Sequence, residues 1–353
     1  MLGKSKKQKT QPKSAATIYD VAKSAGVSKT TVSRVVNDEA SVSPETREQV
    51  NKAIKALRYT PNKAARSLAS QNEARIGLLY NNPSVAYFSE LLIGALESSS
   101  RHGAQLVVDK CEVGNPTAAR KAIQSMVAGG INGMLLTAPL SQSTELIQSL
   151  TKSGIAIVGV ATGRFRSDVS CVGIDDFAAA YEMAKYLLEV GHRQIGFIKG
   201  HPGHTSSKQR YLGFRSALRD AKVEIDAELI AQGHNSYRSG LEAGDALLSR
   251  DAKPTAIFAG NDDMASAVLS IAHRRGLNVP ADLSVVGFDD TIAGSVWPEL
   301  TTIRQPISEI GAKAIDVLIR DISITRSGGR IVQENILIPH SLILRESVAA
   351  PKG

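Results

Sequence analysis

The chain has 353 residues, 42% of them apolar and 22% charged, which is enough for two or three globular domains with substantial cores. Its net charge of +8 is unevenly distributed, because residues 1–70 hold 14 Lys and Arg against five Asp and Glu while the rest of the chain is close to neutral. A local basic excess of this kind indicates a polyanionic partner. No apolar run approaches the length of a membrane span and none follows the basic N-terminus, so we expect a cytoplasmic protein with no membrane partner and no secretory signal.

Motifs typical of metal sites and enzymes are absent from the sequence. Cys111 and Cys171 belong to no CxxC motif, so we predict neither a zinc site nor a disulfide but two buried thiols in a reducing compartment. There is no GxSxG, P-loop or HExxH motif and no strand followed by GxGxxG, so we predict no enzyme and no cofactor. His192, His201 and His204 surround a glycine-rich turn and are interpreted as loop residues.

The first structured segment follows a Lys-, Gln- and Ser-rich stretch, residues 1–16, which predicts a disordered basic arm or an inert tail. Residues 17–37 read TIYDVAKSAGVSKTTVSRVVN. Thr17 can cap a first helix, with Asp20 as the acidic partner of a capping box. Gly26 tolerates the positive φ of a sharp turn, so the pattern predicts two short helices at an angle to each other.

The second of these helices is capped by Ser28 and buries Val32 together with Val35 or Val36. Its outward positions are Lys29, Thr30, Ser33, Arg34 and Asn37. Polar and basic groups at the start of a second helix are typical of a helix that reads the major groove of DNA. The alternative is a plain helical hairpin with a solvated polar face.

A third helix begins at Ser43-Pro44 and completes a small domain that ends near residue 60. Residues 61–73 form a linker whose short helix-forming segment is marginal alone but could fold on docking. Leu68 is the one large apolar side chain of that segment, and it either packs on the next domain or wedges into a minor-groove step of DNA.

From Arg75 onward strands alternate with helices, which predicts parallel sheets covered on both faces. About 270 residues are too many for one doubly wound sheet, so we expect two α/β lobes. The predicted strands are 76–80, 105–109, 133–137, 156–160, 171–174, 195–199, 256–259 and 283–288. The predicted helices include 88–102, 117–128, 177–190, 207–221 and 262–275.

Candidate ligand-binding residues follow the carboxyl ends of these strands, where parallel α/β folds bind ligands. Tyr87 and Phe88 open a helix after the first strand, and their rings could stack on a ligand. Asn261 and Asp289 follow two later strands and could hydrogen-bond the vicinal hydroxyls of a sugar. Arg210 adds a rigid donor fork at the start of another helix. For each of these residues the alternative is a helix cap or a surface charge.

Taken together, these motifs resemble the lactose-repressor (LacI/GalR) family of bacterial transcription regulators. The resemblance runs from about residue 17 to 345 and rests on the first segment quoted above and on VSPETREQV, YTPNKAARSLAS, GHRQIGFIKG, RYLGF, GNDDMA, LSVVGFDD and LTTIRQP. It implies a helix-turn-helix headpiece at 17–60, a hinge helix within 61–73, and a periplasmic-binding-protein-like domain at 74–346 that binds an effector and dimerises. Lobe 1 of that domain would comprise about 74–173 and 306–333, lobe 2 about 174–305 and 334–346, and 347–353 would be a tail.

The family pattern also implies residue roles. Lys29, Thr30 and Arg34 would read bases, and contacts mainly to phosphates would come from Ser28, Thr31, Ser33 and Asn37. Asn62 and Leu68 of the hinge would contact DNA as well, with Leu68 wedged into the operator centre. The effector would be bound by Tyr87, Phe88, Arg210, Asn261 and Asp289.

The functional hypothesis is a homodimeric repressor of carbohydrate uptake or catabolism genes, released from a pseudo-palindromic double-stranded operator by a small sugar. A dimer is expected because the sequence lacks the leucine-heptad tail of tetrameric members. A purine corepressor is the alternative, because residues 161–164 lack the acid that many sugar-binding members carry there. A sugar is preferred because Asn235 stands where an aromatic platform would flank the cleft. A carbohydrate-processing enzyme with a DNA-binding appendage is a distant third.

Overall fold

The computed structural model describes residues 16–36, 42–59, 73–80, 82–111, 115–160, 163, 166–251 and 253–352. The basic arm before Ala16, the predicted phosphate contact Asn37, and the linker with Asn62 and Leu68 lie outside these residues. The chain divides into a small unit, Met1–Glu73, and a larger unit, Ala74–Gly353. No helix in the described ranges is long and apolar enough to span a bilayer.

The small unit contains the three predicted helices, α1 (Ile18–Ala25), α2 (Lys29–Val36) and α3 (Pro44–Ala56). The capping box at the start of α1 is present, because the Thr17 N–H donates to Asp20 Oδ2 at 2.8 Å and the Asp20 N–H donates to Thr17 Oγ1 at 3.4 Å. Gly26 ends α1 with φ 64°, as the sharp turn requires. Val21, Val32 and other buried side chains from all three helices close a small core.

Lobe 1 of the larger unit is built on a six-stranded parallel sheet in the order β11-β5-β4-β3-β1-β2. Its strands are β1 (Arg75–Tyr80), β2 (Gln105–Lys110), β3 (Gly133–Thr137), β4 (Ala156–Val160), β5 (Ser170–Gly173) and β11 (Asn335–Leu337). Its helices are α4 (Val85–Arg101), α5 (Pro116–Ala128), α6 (Thr144–Lys152) and α11 (Ile307–Arg326). Helices α4 and α11 pack so closely that a methyl group on Gly94 would overlap the Ser308 carbonyl.

Lobe 2 is built on a four-stranded parallel sheet in the order β7-β6-β8-β9. Its strands are β6 (Ile195–Lys199), β7 (Ile230–Gln232), β8 (Ala256–Ala259) and β9 (Ser284–Val286). Its helices are α7 (Asp176–Val190), α8 (Thr205–Asp220), α9 (Tyr237–Leu248) and α10 (Asp262–Arg274). The predicted strand 283–288 is shorter than expected, because Gly287 and Asp289 donate their N–H groups to the Thr301 and Ile303 carbonyls instead of continuing the sheet.

Two late strands, β10 (Thr302–Arg304) and β12 (Ser341–Ile343), form a separate antiparallel pair. After β10 the chain returns to lobe 1 as α11. Strand β11 then pairs with β5 in the lobe 1 sheet, whereas the resemblance placed residues 334–346 in lobe 2. The last passage between the lobes therefore follows Leu337. The two-lobed α/β architecture itself is confirmed.

Candidate functional sites

The outward face of α2 is polar and basic, as the sequence predicts. Ser28, Lys29, Thr30 and Arg34 are exposed, whereas Thr31 and Ser33 are half-buried. Ser28 also has a structural role, because its hydroxyl accepts the Thr31 N–H at 3.1 Å and so caps α2. The structure therefore presents on one short helix all the residues predicted to read bases, with Val32 and Val35 buried beneath them.

One residue beside this face was missed by the sequence analysis. Tyr19 on α1 is 62% exposed, and its hydroxyl accepts a hydrogen bond of 2.8 Å from Lys29 Nζ. The same ammonium group lies 4.3 Å from the centroid of the tyrosine ring. The signal available in the sequence was that Tyr19, a large aromatic residue, falls on the polar side of α1, next to the inward-facing Ile18 and Val21.

In the larger unit, a cavity lies between the carboxyl ends of the strands of lobe 1 and lobe 2. Its volume is about 40 Å³. Four of the predicted effector residues, Tyr87, Arg210, Asn261 and Asp289, line it together. The other lining residues are Asn82, Ser84, Thr137, Ala138, His204, Ser206, Ser207 and Asn235. The structure thus brings together side chains that are up to about 200 positions apart in the sequence.

Phe88 is not among the lining residues. Its ring lies 4.4 Å from that of Tyr80, within the hydrophobic core of lobe 1. Helix α4 begins at Val85, three residues before the predicted start, because Ser84 caps it and accepts the Tyr87 N–H. Consecutive residues of a helix point about 100° apart. Tyr87 therefore lines the cavity while Phe88 packs in the core, and a ligand contact from Phe88 stays a prediction.

Arg210 is the centre of a buried hydrogen-bond network. Its Nε donates to Asp176 Oδ1 at 2.8 Å, and its Nη1 donates to Asp289 Oδ1 at 3.2 Å and to the Gly260 carbonyl at 2.7 Å. The guanidinium carbon lies 3.7 Å from the centroid of the Phe288 ring. Because the side chain is packed and paired on several sides, its orientation in the cavity is fixed before any ligand arrives.

The carboxylates of this network are difficult to ionise because they are buried. Burial raises the pKa of Asp289 to about 7, although the Arg210 charge and a 2.6 Å hydrogen bond from Gln305 Nε2 both oppose the rise. Burial likewise raises the pKa of Asp176, again against the charge of Arg210. Among the described residues, the cavity therefore contains the fixed cation of Arg210 and the carboxyl group of Asp289, which exchanges a proton near neutral pH.

Asn261 makes hydrogen bonds within the protein with both ends of its side-chain amide. Its Oδ1 accepts the Met264 N–H at 3.1 Å, which caps α10, and its Nδ2 donates to the Asn235 carbonyl and to Asp263 Oδ2, each at 3.2 Å. The helix-cap alternative is therefore realised. Asn261 can bind a ligand donor with the second lone pair of Oδ1, or a ligand acceptor if one of the Nδ2 bonds is shared or exchanged.

Tyr87 is the lining residue whose polar group is least satisfied. Its hydroxyl is buried and has no hydrogen-bond partner within the described residues. Burial, and next the nearby charge of Asp289, raise the pKa of this hydroxyl, so it remains a neutral donor and acceptor. An unpaired buried hydroxyl is unfavourable, and a ligand group in the cavity could satisfy it.

His192, His201 and His204 lie in loops, as predicted, but His204 is more than a loop residue. It immediately precedes α8, is buried, and lines the cavity. Burial is the main reason that its pKa falls to about 4, so the imidazole is neutral at pH 7. His192 is buried too, with Nδ1 2.9 Å from Thr255 Oγ1. Neither burial is apparent from the sequence, because both depend on residues distant along the chain.

Direct hydrogen bonds join the two lobes at the edge of the cavity. Ser84 Oγ of lobe 1 donates to Asp263 Oδ2 of lobe 2 at 2.6 Å, and Thr205 Oγ1 of lobe 2 donates to Gln142 Oε1 of lobe 1 at 2.6 Å. A volume of about 40 Å³ has room for a few water molecules, each of which needs roughly 10–15 Å³, whereas ligand pockets span roughly 300–1,000 Å³. A ligand the size of a monosaccharide therefore requires the lobes to separate further than they do here.

Comparison with known proteins agrees with this architecture. The profile for bacterial regulatory proteins of the lacI family matches residues 17–62, and the periplasmic binding protein-like domain matches residues 184–348. The HTH-type transcriptional regulator DegA of Bacillus subtilis (strain 168) is 36% identical over 94% of this chain and 98% of its own length. The HTH-type transcriptional repressor PurR of Pectobacterium carotovorum subsp. carotovorum (strain PC1) is 36% identical over 95% and 97%.

Solved structures give the same result. The Lac repressor dimer bound to operator and the anti-inducer ONPF superposes with a TM-score of 0.74 at 28% identity, covering 95% of this chain and 99% of that one. A complex of the transcriptional regulator CelR with cellobiose has a TM-score of 0.69 at 29% identity, covering 94% and 99%. The chain belongs to the lacI family of bacterial regulatory proteins, and it is a DNA-binding transcriptional regulator rather than an enzyme.

Proposed function

We propose that the protein is a homodimeric repressor of carbohydrate uptake or catabolism genes. It binds a pseudo-palindromic operator, and a small sugar releases it from that operator. The observation that carries the proposal is the cavity, in which Tyr87, Arg210, Asn261 and Asp289 converge between two lobes. Such a site can couple the presence of a ligand to the distance between the lobes. We infer that the protein acts in the cytoplasm, where its operator DNA lies.

A sugar is the effector that the lining favours. The cavity wall is rich in hydroxyl, amide and carboxyl groups that can donate and accept in turn, as vicinal sugar hydroxyls require. Among the described lining residues, Tyr87 and His204 carry the rings, and hydroxyl and amide side chains make up most of the rest. One solved relative, CelR, has cellobiose bound. In the proposed site, Arg210 and Asp289 form hydrogen bonds with adjacent hydroxyls of the sugar. Another polar group of the sugar pairs with the Tyr87 hydroxyl, which otherwise has no partner.

A purine corepressor is the second candidate, and relatives favour it. The PurR of Pectobacterium carotovorum is 36% identical to this chain over nearly its whole length. In that case the same cavity would accept a base against Tyr87, and the ligand would tighten DNA binding instead of releasing it.

For DNA recognition we propose the roles that the family pattern gives to α2. Lys29, Thr30 and Arg34 read base edges from the exposed face, and the hydroxyls of Ser28, Thr31 and Ser33 contact phosphates. Asn37, Asn62 and Leu68 add contacts from segments outside the described residues, with Leu68 as a minor-groove wedge.

Dimerisation is supported by an exposed apolar patch on each lobe. On lobe 1, the exposed apolar side chains are Ile93 and Leu96 of α4 and Val108 of the edge strand β2. On lobe 2, Tyr237 and the 82% exposed Trp297 line an open groove of about 670 Å³ between α9, α10 and the segment before Pro298. Exposed patches of this kind mark association sites. A dimer with a two-fold axis matches a pseudo-palindromic operator.

Effector control follows from population shift. The conformation described here has the lobes held together by the Ser84–Asp263 and Thr205–Gln142 hydrogen bonds. A sugar that binds a more open state better shifts the population toward that state, by no more than its differential affinity for the two. We propose that this change is transmitted through residues 61–73 and weakens operator binding.

The test is operator affinity at fixed salt, measured on the DNA upstream of the protein's own gene and its neighbours. The ligand panel contains mono- and disaccharides, hypoxanthine and guanine. Loss of tight, sequence-specific binding with one sugar supports the proposal. Tightening by a purine would replace it with the second candidate.

A further inference from the structure

We propose that Tyr19 is a positioning residue for Lys29, so that the base preference attributed to Lys29 depends on the tyrosine. The inference rests on the proposed role of Lys29 as a base reader. It adds a residue on α1 to a recognition surface otherwise built from α2.

The geometry of the pair is specific. The Lys29 ammonium group donates to Tyr19 Oη at 2.8 Å and lies 4.3 Å from the ring centroid, so it contacts both the hydroxyl and the π-system. This is the one hydrogen bond that the described residues give to the Tyr19 hydroxyl. The tyrosine ring is largely exposed, so core packing does not account for its presence.

Electrostatics explain why the lysine needs this partner. Lys29 is the first residue of α2, where the unpaired N–H groups and the helix macrodipole create a positive potential that disfavours a cation. The first turn of α2 contains no acidic residue, and Asp20 on α1 is engaged by Thr17. Among the described residues no carboxylate lies within ion-pair distance of Lys29. The hydroxyl oxygen and the electron-rich ring face of Tyr19 supply the missing attraction.

Holding the ammonium group in one place has a consequence for recognition. A lysine on the recognition helix specifies guanine by donating to O6 and N7 in the major groove. A flexible lysine side chain loses rotamer freedom when it does so, and a side chain already held in place loses less. Tyr19 therefore increases the discrimination that Lys29 provides, without itself contacting a base.

The experiment uses the full-length protein and a preferred DNA sequence selected from a randomised library. Affinities are measured at fixed salt for that sequence and for each of its single-base-pair variants. The proteins are wild type, Tyr19→Ala, Tyr19→Phe, Lys29→Met and the double variant Tyr19→Ala/Lys29→Met. Lys55→Met is the matched control, because Lys55 is an exposed headpiece lysine on α3. Thermal unfolding monitored by circular dichroism verifies that each headpiece is folded.

Lys29→Met is expected to reduce discrimination at one or two base pairs by roughly 5- to 150-fold, the range of one good base contact. Tyr19→Ala should reduce discrimination at the same base pairs by roughly two- to fivefold, the worth of an exposed cation–π contact, and should add nothing in the Lys29→Met background. Tyr19→Phe, which keeps the ring, should lose less. Lys55→Met should weaken all sequences alike.

Two results would overturn the proposal, and they are distinguishable. If Tyr19→Ala weakens every sequence equally, with or without Lys29→Met, then Tyr19 contacts the DNA backbone and does not position Lys29. If Lys29→Met leaves the base preference unchanged, the proposed base-reading role of Lys29 is wrong, and the positioning role of Tyr19 is wrong with it.

Discussion

Replacing Asp289 with Asn removes one ionisable group from the cavity while keeping its shape. Asp289 is buried and has φ 109°, a positive value that Asn tolerates better than most residues. The amide oxygen can still accept the hydrogen bonds from Arg210 and Gln305. The variant therefore isolates the charge of Asp289 from its packing.

The magnitude follows from the pKa. Asp289 has an ordinary pKa of 3.8 and a folded-state pKa of about 7, so the folded protein binds a proton that the unfolded chain releases between these values. Stability contributed by this group therefore falls as pH rises from about 4 to about 7, by about 1.4 kcal/mol per pH unit. Between pH 5 and pH 8 the wild type should lose about 3 kcal/mol that Asp289→Asn does not lose.

The contribution of His204 to stability has the opposite pH dependence. It cancels when the wild type is compared with Asp289→Asn. The pKa of His204 falls from 6.5 to about 4 in the folded state, so the unfolded chain binds the extra proton and stability rises with pH across that window. Because His204 is present in both proteins, it does not contribute to their difference.

The assay is urea unfolding followed by circular dichroism at pH 5, 6, 7 and 8, for wild type and Asp289→Asn. Asp109→Asn, which changes an exposed acid on β2, controls for the loss of one negative charge. The free-energy difference between wild type and Asp289→Asn should change with pH by about 3 kcal/mol, whereas the control should follow the wild type. If the free energy of unfolding changes with pH in the same way for all three proteins, burial does not govern the ionisation of Asp289.

Further predictions concern DNA binding and assembly. Arg34→Ala should cost about 1–3 kcal/mol on the preferred operator and relax the preference at one base pair; equal weakening on all sequences in a filter-binding assay would mean a phosphate contact. Leu68→Ala should weaken operator affinity and leave effector affinity, measured by calorimetry, nearly intact; parallel loss of both would indicate a packing role. Trp297→Glu should shift the sedimentation profile from dimer to monomer, because it places a charge in the exposed lobe 2 groove; an unchanged dimer would remove that groove from the interface.

The local structure was the most predictable part of the protein. Thr17, Asp20 and Gly26 carry cap and turn chemistry that depends on residues only a few positions apart, so the helix-turn-helix could be predicted from the sequence. Buried parallel strands such as Gly133–Thr137 and Ala156–Val160 are continuous apolar runs, and their limits were predicted to the residue. The convergence of Arg210 and Asp289 followed from the rule that ligands bind beyond the carboxyl ends of strands.

What the sequence did not reveal depends on tertiary packing. Phe88 packs against Tyr80 in the core while its neighbour Tyr87 lines the cavity, because consecutive residues of a helix point about 100° apart and the packing of α4 decides which of them faces the cleft. His204 gave no sign of burial, because its environment comes from residues distant in the sequence. Strand β11 is three residues long, too short for a periodic pattern, and its place beside β5 is fixed only by the finished sheet.

We propose that a small sugar in the Arg210–Asp289 cavity controls operator binding. The most direct measurement is fluorescence anisotropy of labelled operator DNA with the full-length protein, titrated with each sugar at fixed salt, for wild type and for Arg210→Met. One sugar is expected to release the DNA from the wild type and to have no effect on Arg210→Met, which should still bind the operator. Release of both proteins by the same sugar, or tightening by a purine alone, would contradict it.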